Sequence, residues 1–478
     1  MNVPSWEFLA FGLLAALVFN LSHAAQWRKI GLLATNLIFL STFSHSPHAY
    51  LPFAAFLALG YLGVRLISEG SRRVALFFII AMLLCFAWLK RYAFLPDTVR
   101  LPQVYVTVGV SYVFFRLLSL LIDRRDGALP GPIGPITYLN YALNFTSLVS
   151  GPIQRFEDYR SMETAEPPLS LDAATVGTAV ERIVIGMFKV FVLSSVFIAL
   201  QGNRIAALEI EQAWGAKVAD GIVIALVYPL YLYLNFSGYT DFVIGIARFF
   251  RINLPENFDR PFAAMNFIEF WSRWHITLSS WLKTYVYAPL IFALMRRFPA
   301  PRLEPLLGVI AYFVTFFLVG IWHGQTSEFL FFGLLQGGGV AANKLYQISC
   351  EKITGRRRYR RICGDPLYQA LARGLTCSYF AFSLLWFWST WSQLGRMASL
   401  IGASGLIGLW LAAIFIATLV STAFVVSQQW LVSLQLAGTP LWSSRYLRTV
   451  GSTAMVVVIA VQMLSLSGEA PQIVYKAF

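Results

Sequence analysis

The sequence predicts an all-α, polytopic membrane protein. Of its 478 residues, 58% are hydrophobic, 16% aromatic and only 13% charged, and the mean hydropathy is +0.64. Soluble domains carry roughly 25% charged residues, so this composition would not cover a surface in water. Apolar stretches also recur along the whole chain, at residues 6–21, 30–43, 51–67, 74–88, 104–122, 176–200, 218–236, 306–322, 329–342, 379–391, 400–425 and 449–466.

These stretches set the predicted number of spans. An α-helix crosses a bilayer with about 20 residues, with some latitude for tilt and snorkelling. Because several stretches are shorter, we expect roughly 10 to 13 spans, some short or broken, plus interfacial or re-entrant helices. The polar segments 127–168 and 255–289 hold aromatic residues beside their charges, which favours the lining of a site over a linker. We therefore predict one integral membrane domain over residues 1–478, and expect Gly337-Gly338-Gly339 to allow close helix packing.

The net charge of +14 does not indicate nucleic-acid binding. The basic residues cluster in short loops between apolar stretches, at 28–29, 72–73, 124–125, 296–297 and 356–361. This is the positive-inside pattern, and it accounts for most of the excess charge. The first stretch has basic residues after it and none before it, so it reads as a retained span with an extracytoplasmic N-terminus. Residues 356–361 should be cytoplasmic, where orientation, anionic lipid heads or a phosphorylated donor would each explain them.

His323 is the first candidate catalytic residue. It follows residues 306–322, which carry no charge, and ionisable groups beside such segments usually face a cavity or a reaction path. An imidazole exchanges protons near neutral pH, which suits a general base. The alternative is a histidine at a helix end, bonded to a neighbouring carbonyl. Residues 306–342 are too many for one span at about 1.5 Å per residue, so we expect a break at 323–327.

Residues 269–285 predict one amphipathic helix in or near the membrane interface. At helical period, one face collects Trp271, Trp274, His275, Leu278, Trp281, Leu282 and Tyr285, and the other collects Glu269, Ser272, Arg273, Ser279, Ser280 and Lys283. His275 is either a packed structural histidine or part of a sunken site. Aromatic stripes favour packing.

Four short motifs follow one another along the chain. They are Asn235-Phe236-Ser237-Gly238-Tyr239-Thr240-Asp241, Pro255-Glu256-Asn257-Phe258, Phe270-Trp271-Ser272-Arg273-Trp274-His275 and Trp322-His323-Gly324. With Gly109-Val110-Ser111-Tyr112 and Ser150-Gly151-Pro152, they resemble the membrane-bound O-acyltransferase family, in the bacterial branch of alginate O-acetyltransferases and teichoic acid D-alanyl transferases. The resemblance covers about residues 105–345. Lys283-Thr284 and Leu290-Ile291-Phe292 depart from the Arg-Asp and Gly-Gly-Asn of close relatives, which leaves the substrate open.

The resemblance implies a site and a reaction. His323 would be the catalytic histidine and His275 a second important one. A central tunnel would let an acyl group from a cytoplasmic thioester meet an acceptor hydroxyl from outside. A hydroxyl needs a base within hydrogen-bond reach, and a neutral imidazole suits that role. Because a thioester already has a good leaving group, we expect acetyl-CoA or another acyl thioester as co-substrate, with no bound cofactor and no metal.

The C-terminal residues 473–478 resemble the aromatic-Tyr-aromatic tails of this branch and of its small partner peptide. This resemblance suggests that Tyr475 accepts the acyl group as a phenolic ester and passes it to an extracytoplasmic partner enzyme. A phenol ionises with a pKa of about 10, so its ester stays activated for a second transfer. The alternative is that Tyr475 anchors the tail at the membrane interface.

Five further residues are supporting candidates. Asp241 and Glu269 are suited to orienting a histidine, Asn266 to binding the donor, and Arg273 to meeting donor phosphates, while Trp322 adjoins His323. The polar four are equally suited to capping a helix or forming a buried ion pair.

We therefore expect an O-acyltransferase of the bacterial inner membrane that passes an acyl group, preferably acetyl, to an extracytoplasmic polysaccharide. An acetyltransferase- or esterase-like partner protein outside the membrane would complete the transfer. Two alternatives remain open: D-alanyl transfer from a carrier-protein thioester, and a lipid or polysaccharide transporter, which should show two related halves with broken helices.

Overall fold

A computed structural model describes residues 1–92, 95–99, 105–129, 131–211, 213–436 and 445–465. Within these segments the structure is helical and carries one isolated antiparallel bridge, Phe258–Trp274, so the all-α prediction is confirmed. The helices are α1 (Trp6–Phe19), α2 (Ala25–Ser41), α3 (Leu51–Leu66), α4 (Arg72–Leu89), α5 (Val110–Arg125), α6 (Pro135–Ala142), α7 (Phe156–Glu163), α8 (Ala173–Met187), α9 (Ser195–Ile210), α10 (Trp214–Phe249), α11 (Phe267–Arg273), α12 (Ile276–Leu282), α13 (Ala288–Arg297), α14 (Glu304–His323), α15 (Ser327–Thr354), α16 (Arg356–Cys363), α17 (Pro366–Ser383), α18 (Leu385–Trp388), α19 (Trp391–Ile401), α20 (Ala403–Leu436) and α21 (Arg445–Ser465).

Seven helical stretches among the described residues are long and apolar enough to cross a membrane. They are Pro47–Leu66, Arg72–Leu89, Ala173–Ile210, Trp214–Phe249, Pro301–His323, Pro366–Trp388 and Ala403–Trp430. A multi-pass membrane protein is thus confirmed, with fewer full-length spans than the roughly 10 to 13 expected. The difference arises because some apolar stretches form short helices, such as α1 with 14 residues and α5 with 16.

The chain forms two compact units that interleave in sequence. Unit 1 comprises residues 1–190, 236–256 and 459–478, and unit 2 comprises residues 191–235 and 257–458. The single-domain organisation inferred from the sequence stays a prediction.

In unit 1, the segment 127–168 folds into short helices around buried polar groups. Arg116, on α5, is buried, and its guanidinium donates to the carbonyl oxygens of Tyr141, Ala142 and Ser147 at 3.3, 3.0 and 2.7 Å. A buried cation needs such partners, because burial removes its hydration. Backbone carbonyls of this segment therefore solvate a cation in the core of unit 1, and its predicted role in lining a site stays a prediction.

In unit 2, α14 and α15 pack against each other through glycines. A Cβ atom on Gly320 would lie 2.3 Å from the Cα atom of Gly333, and one on Gly337 would lie 2.5 Å from the carbonyl oxygen of Phe313. Small residues allow helix backbones to approach closely in a membrane, where association depends on packing. Residues 324–326 join the two helices, which confirms the predicted break after His323.

The segment 269–285, also in unit 2, does not form the single predicted helix. It divides into α11 and α12 at Trp274 and His275, and the turns after α12 are π-helical over Lys283–Tyr287. His275 has φ +45°, in the left-handed region, which ends the hydrogen-bonding pattern of α11. The predicted faces are nevertheless confirmed at six of the seven apolar positions, since Trp271, Trp274, His275, Leu278, Trp281 and Leu282 are all buried.

We expect Gly320→Ala to destabilise unit 2 by about 1–3 kcal/mol, because its new methyl group meets the backbone of Gly333 and the helices must separate. Gly338→Ala is the matched control on α15, since no atom lies within 4 Å of its Cβ position. The measurement is thermal unfolding of the purified protein in detergent, followed by tryptophan fluorescence. Equal melting temperatures for the two variants would contradict this account of the α14–α15 contact.

Candidate active site

His323 is the last residue of α14 and is 2% exposed. Its ring packs edge-on against Phe387, with ring centroids 5.0 Å apart, and against Phe332, at 5.9 Å. Phe332 lies on α15, so the close α14–α15 contact also fixes the wall behind the imidazole. The sequence predicted this histidine at a helix end, and the structure adds that it is enclosed by aromatic rings.

His275 is 1% exposed and occupies the turn between α11 and α12. A non-glycine residue with positive φ is strained, and such strain persists only where surrounding contacts hold it. Asn257 supplies those contacts: its carbonyl oxygen accepts from the Ile276 amide at 2.9 Å. Its side-chain oxygen accepts from the Thr277 amide at 3.3 Å and the Thr277 hydroxyl at 2.6 Å.

Trp322 brings the two histidines into one cluster. Its ring centroid lies 4.5 Å from that of His323 and 6.3 Å from that of His275. The chain has five histidines, and the other three, His23, His45 and His48, are exposed. Aromatic enclosure thus singles out the pair that the sequence motifs indicated.

Burial lowers the pKa of His275 to about 3, from an ordinary value of 6.5. Removing an imidazolium from water disfavours its charged form, so the ring is neutral throughout the physiological pH range. A ring with so low a pKa binds a proton only weakly near neutral pH, so this shift assigns no acid–base role to His275.

The three polar candidates on or beside α11 contact one another. The side chain of Asn266 caps α11 by accepting from the Glu269 amide at 2.9 Å. Glu269 accepts from the Met265 amide at 3.0 Å and from the Arg273 guanidinium at 2.9 Å. These are the cap and the ion pair that the sequence left open as alternatives, and a role in donor binding stays a prediction.

Asp241 belongs to a charge cluster in unit 1, whereas both buried histidines belong to unit 2. Its carboxylate accepts from Arg182 at 3.0 Å and from Lys189 at 2.6 Å. Arg182 also pairs with Glu256, so two cations face two anions. Such pairing makes charges tolerable beside apolar helices. The predicted role of Asp241 in orienting a histidine stays a prediction.

Two buried polar residues of unit 2 were not singled out by the sequence. The sequence showed Asn257 only as part of a motif. Its contact with the His275 turn is a hydrogen bond from Thr277, which lies 20 positions later in the sequence. Gln336 is buried on α15, one turn beyond Phe332, and donates to the Ser383 hydroxyl at 2.8 Å. Among the residues that the structure describes, no donor contacts its buried side-chain oxygen. A lone amide within an apolar stretch is a signal that would have identified it.

Two further predictions are not tested by these contacts. The central tunnel stays a prediction, and both histidines are buried. Tyr475 lies outside the described residues.

Comparison with known proteins matches residues 73–382 to the sequence profile of MBOAT, the membrane-bound O-acyltransferase family. The teichoic acid D-alanyltransferase of Bacillus subtilis (strain 168) is 27% identical over 344 residues, covering 69% of this chain and 85% of that protein. The peptidoglycan O-acetyltransferase of Helicobacter pylori is 29% identical, covering 57% of this chain and 49% of that protein. The probable alginate O-acetylase AlgI of Pseudomonas fluorescens is 30% identical, covering 51% and 46%.

The chain therefore spans most of the first relative and about half the length of the other two. All three carry acyl-transfer names, which supports an enzyme over the transporter alternative. The profile match contains both buried histidines and covers more than half of the sequence, so this protein belongs to the membrane-bound O-acyltransferase family.

Proposed function

We propose that this O-acyltransferase transfers an acetyl group from acetyl-CoA, across the bacterial inner membrane, toward an extracytoplasmic polysaccharide, with His323 as the general base. The observation that carries the proposal is the buried pair of histidines around Trp322. Relatives named for O-acetylation of peptidoglycan and alginate support acetyl as the group and a polysaccharide as the acceptor.

The chemistry follows from the properties of the two substrates. His323 takes the proton of an acceptor hydroxyl, and the oxygen attacks the carbonyl carbon of the thioester. A C–O bond forms, the C–S bond breaks, and the coenzyme leaves as a thiol that takes up the proton. Aromatic rings around the imidazole exclude water, which limits hydrolysis of the thioester.

A cavity of about 530 Å³ in unit 2 is a candidate entrance for the donor. It is lined by side chains of α11, α15, α16 and α17, including Phe267 and Tyr379, whose rings lie 5.0 Å apart. α16 lines this cavity through Tyr359 and Cys363, and the same helix carries five arginines. Positive charge at a cytoplasmic opening would attract an anionic donor.

A second candidate within the class is D-alanyl transfer from a carrier-protein thioester. It is supported by the teichoic acid D-alanyltransferase of Bacillus subtilis, of which this chain covers 85%. The base and the bond changes would be the same, and the donor would differ.

We expect His323→Ala to lower acyl transfer by about 10²- to 10⁴-fold, the usual contribution of a general base. The assay follows label from radioactive acetyl-CoA, or from D-alanyl carrier thioester, in membranes that contain each variant. His45→Ala, which removes an exposed histidine, is the control. Unchanged transfer by His323→Ala would refute its role as base. Failure of wild type with acetyl-CoA but success with the D-alanyl thioester would select the second candidate.

His275 can be tested separately for its ring and its backbone. Asn tolerates the left-handed conformation, so we expect His275→Asn to keep the melting temperature while acyl transfer falls at least about tenfold. His275→Ala should lose stability as well, by about 1 kcal/mol, because alanine is disfavoured at positive φ. Full activity of His275→Asn would show that His275 has only a structural role.

We also propose that Tyr475 relays the acyl group. Its phenol oxygen would attack the thioester carbonyl, release the thiol and hold the group as an ester. A hydroxyl bound by an extracytoplasmic partner enzyme would then attack that ester and release the phenol. An aryl ester is activated because its leaving group has a pKa of about 10.

Tyr475→Phe keeps an aromatic anchor and removes the hydroxyl. We expect label from the thioester on the wild-type chain and none on Tyr475→Phe, with polymer acylation lost in the variant. Polymer acylation equal to wild type would end the relay proposal and leave the His323 proposal standing.

A further inference from the structure

Arg373 is a buried cation on α17, within a stretch long and apolar enough to cross a membrane. Its side chain is only 8% exposed, and its Nε atom is fully buried. Among the residues that the structure describes, none accepts a hydrogen bond from this buried Nε atom. Proteins usually pair or hydrogen-bond a buried arginine, because an isolated buried charge is costly.

Arg373 lines a cleft of about 490 Å³ in unit 2, together with Arg260, Arg273, Glu269, Gln369, Gln428 and Gln429. The other two arginines have carboxylates of their own: Arg260 pairs with Asp259 at 3.0 Å, and Arg273 pairs with Glu269 at 2.9 Å. Within the described part of the chain, no carboxylate pairs with Arg373, so its positive charge has no such partner in the cleft. Side-chain amides of α20 supply further hydrogen-bond donors beside it.

The cleft lies toward the basic end of α17. This helix begins at Pro366, directly after the arginine-rich α16, and Arg373 is seven residues further, about 10 Å along the axis. Basic pockets between membrane helices at such a depth suit phosphate headgroups. Arginine binds phosphate with several parallel hydrogen bonds, which strengthens both affinity and orientation.

We propose that the cleft around Arg373 binds a phosphate ester, held by the guanidinium and by the amides of Gln428 and Gln429. The headgroup of an anionic phospholipid and the phosphate of a coenzyme donor carry the same group, and binding assays separate them. This site is distinct from the histidine pair, and the proposal stands whether or not the proposed transfer reaction is correct.

The test measures binding by purified protein in a neutral detergent. One arm titrates short-chain phosphatidylglycerol against phosphatidylcholine, and the other titrates coenzyme A against uncharged pantetheine. We expect Arg373→Gln to weaken at least one anionic ligand by about 10- to 100-fold, the usual value of a charge-assisted hydrogen bond. Weaker binding of the lipid, of the coenzyme or of both by Arg373→Gln identifies which phosphate the cleft accepts.

Arg357→Gln is the matched control, because it removes an equal charge from the exposed α16. Its effect should stay below about fivefold, as for exposed charges generally. Gln428→Glu gives Arg373 a carboxylate within the same cleft, so we expect it to fold normally and to lose the ligand. This variant keeps the test decisive if Arg373→Gln does not fold. Affinities equal to wild type in Gln428→Glu, for both anionic ligands, would overturn the proposal.

Discussion

The close contact between α14 and α15 is the constraint on which the geometry of the candidate active site depends. Lipid offers no hydrophobic drive for helix association, so backbone approach must supply the contact energy. Gly320 and Gly333 allow that approach. Because α14 ends three residues after Gly320, the same contact fixes both His323 and the Phe332 wall behind it. The glycines and the proposed base therefore belong to one structural unit, in which the packing of two helices fixes the position of the His323 imidazole.

The buried polar groups named above are stabilised in two different ways. Arg116 and Asp241 have protein partners that neutralise or solvate their charge. His275 stays neutral, because its burial lowers the pKa to about 3, and its strained turn is held by Asn257. Arg373 has neither kind of compensation among the described residues. Charges that protein partners compensate serve stability. The proposal of a ligand at Arg373 rests on the absence of such a partner among the described residues, in a cleft of ligand size.

Much of the fold could be predicted from the sequence, because long apolar runs and buried stripes are periodic signals. The helical class, the break after His323 and the buried face of residues 271–282 all follow from periodicity or length. The continuous helix through His275 was wrong, since a single left-handed residue does not disturb an apolar pattern. Likewise, the hydrogen bonds by which Asn257 fixes that turn join residues that are distant in the sequence. The surroundings of Arg373 depend on residues of several helices, so they could not be predicted from the sequence.

The family match covers only part of the chain, and the helices after it lie outside the region that the family shares. The profile match ends at residue 382, within α17, and contains His275, Trp322 and His323. This chain is similar both to a relative named for D-alanyl transfer and to one named for O-acetyl transfer, so family membership alone does not identify the acyl group. Under the proposed mechanism, the acyl group would be selected by surfaces that bind the donor or the acceptor. The arginine-rich α16, the Arg373 cleft and the helices after residue 382 are the described regions in which that selection is to be sought.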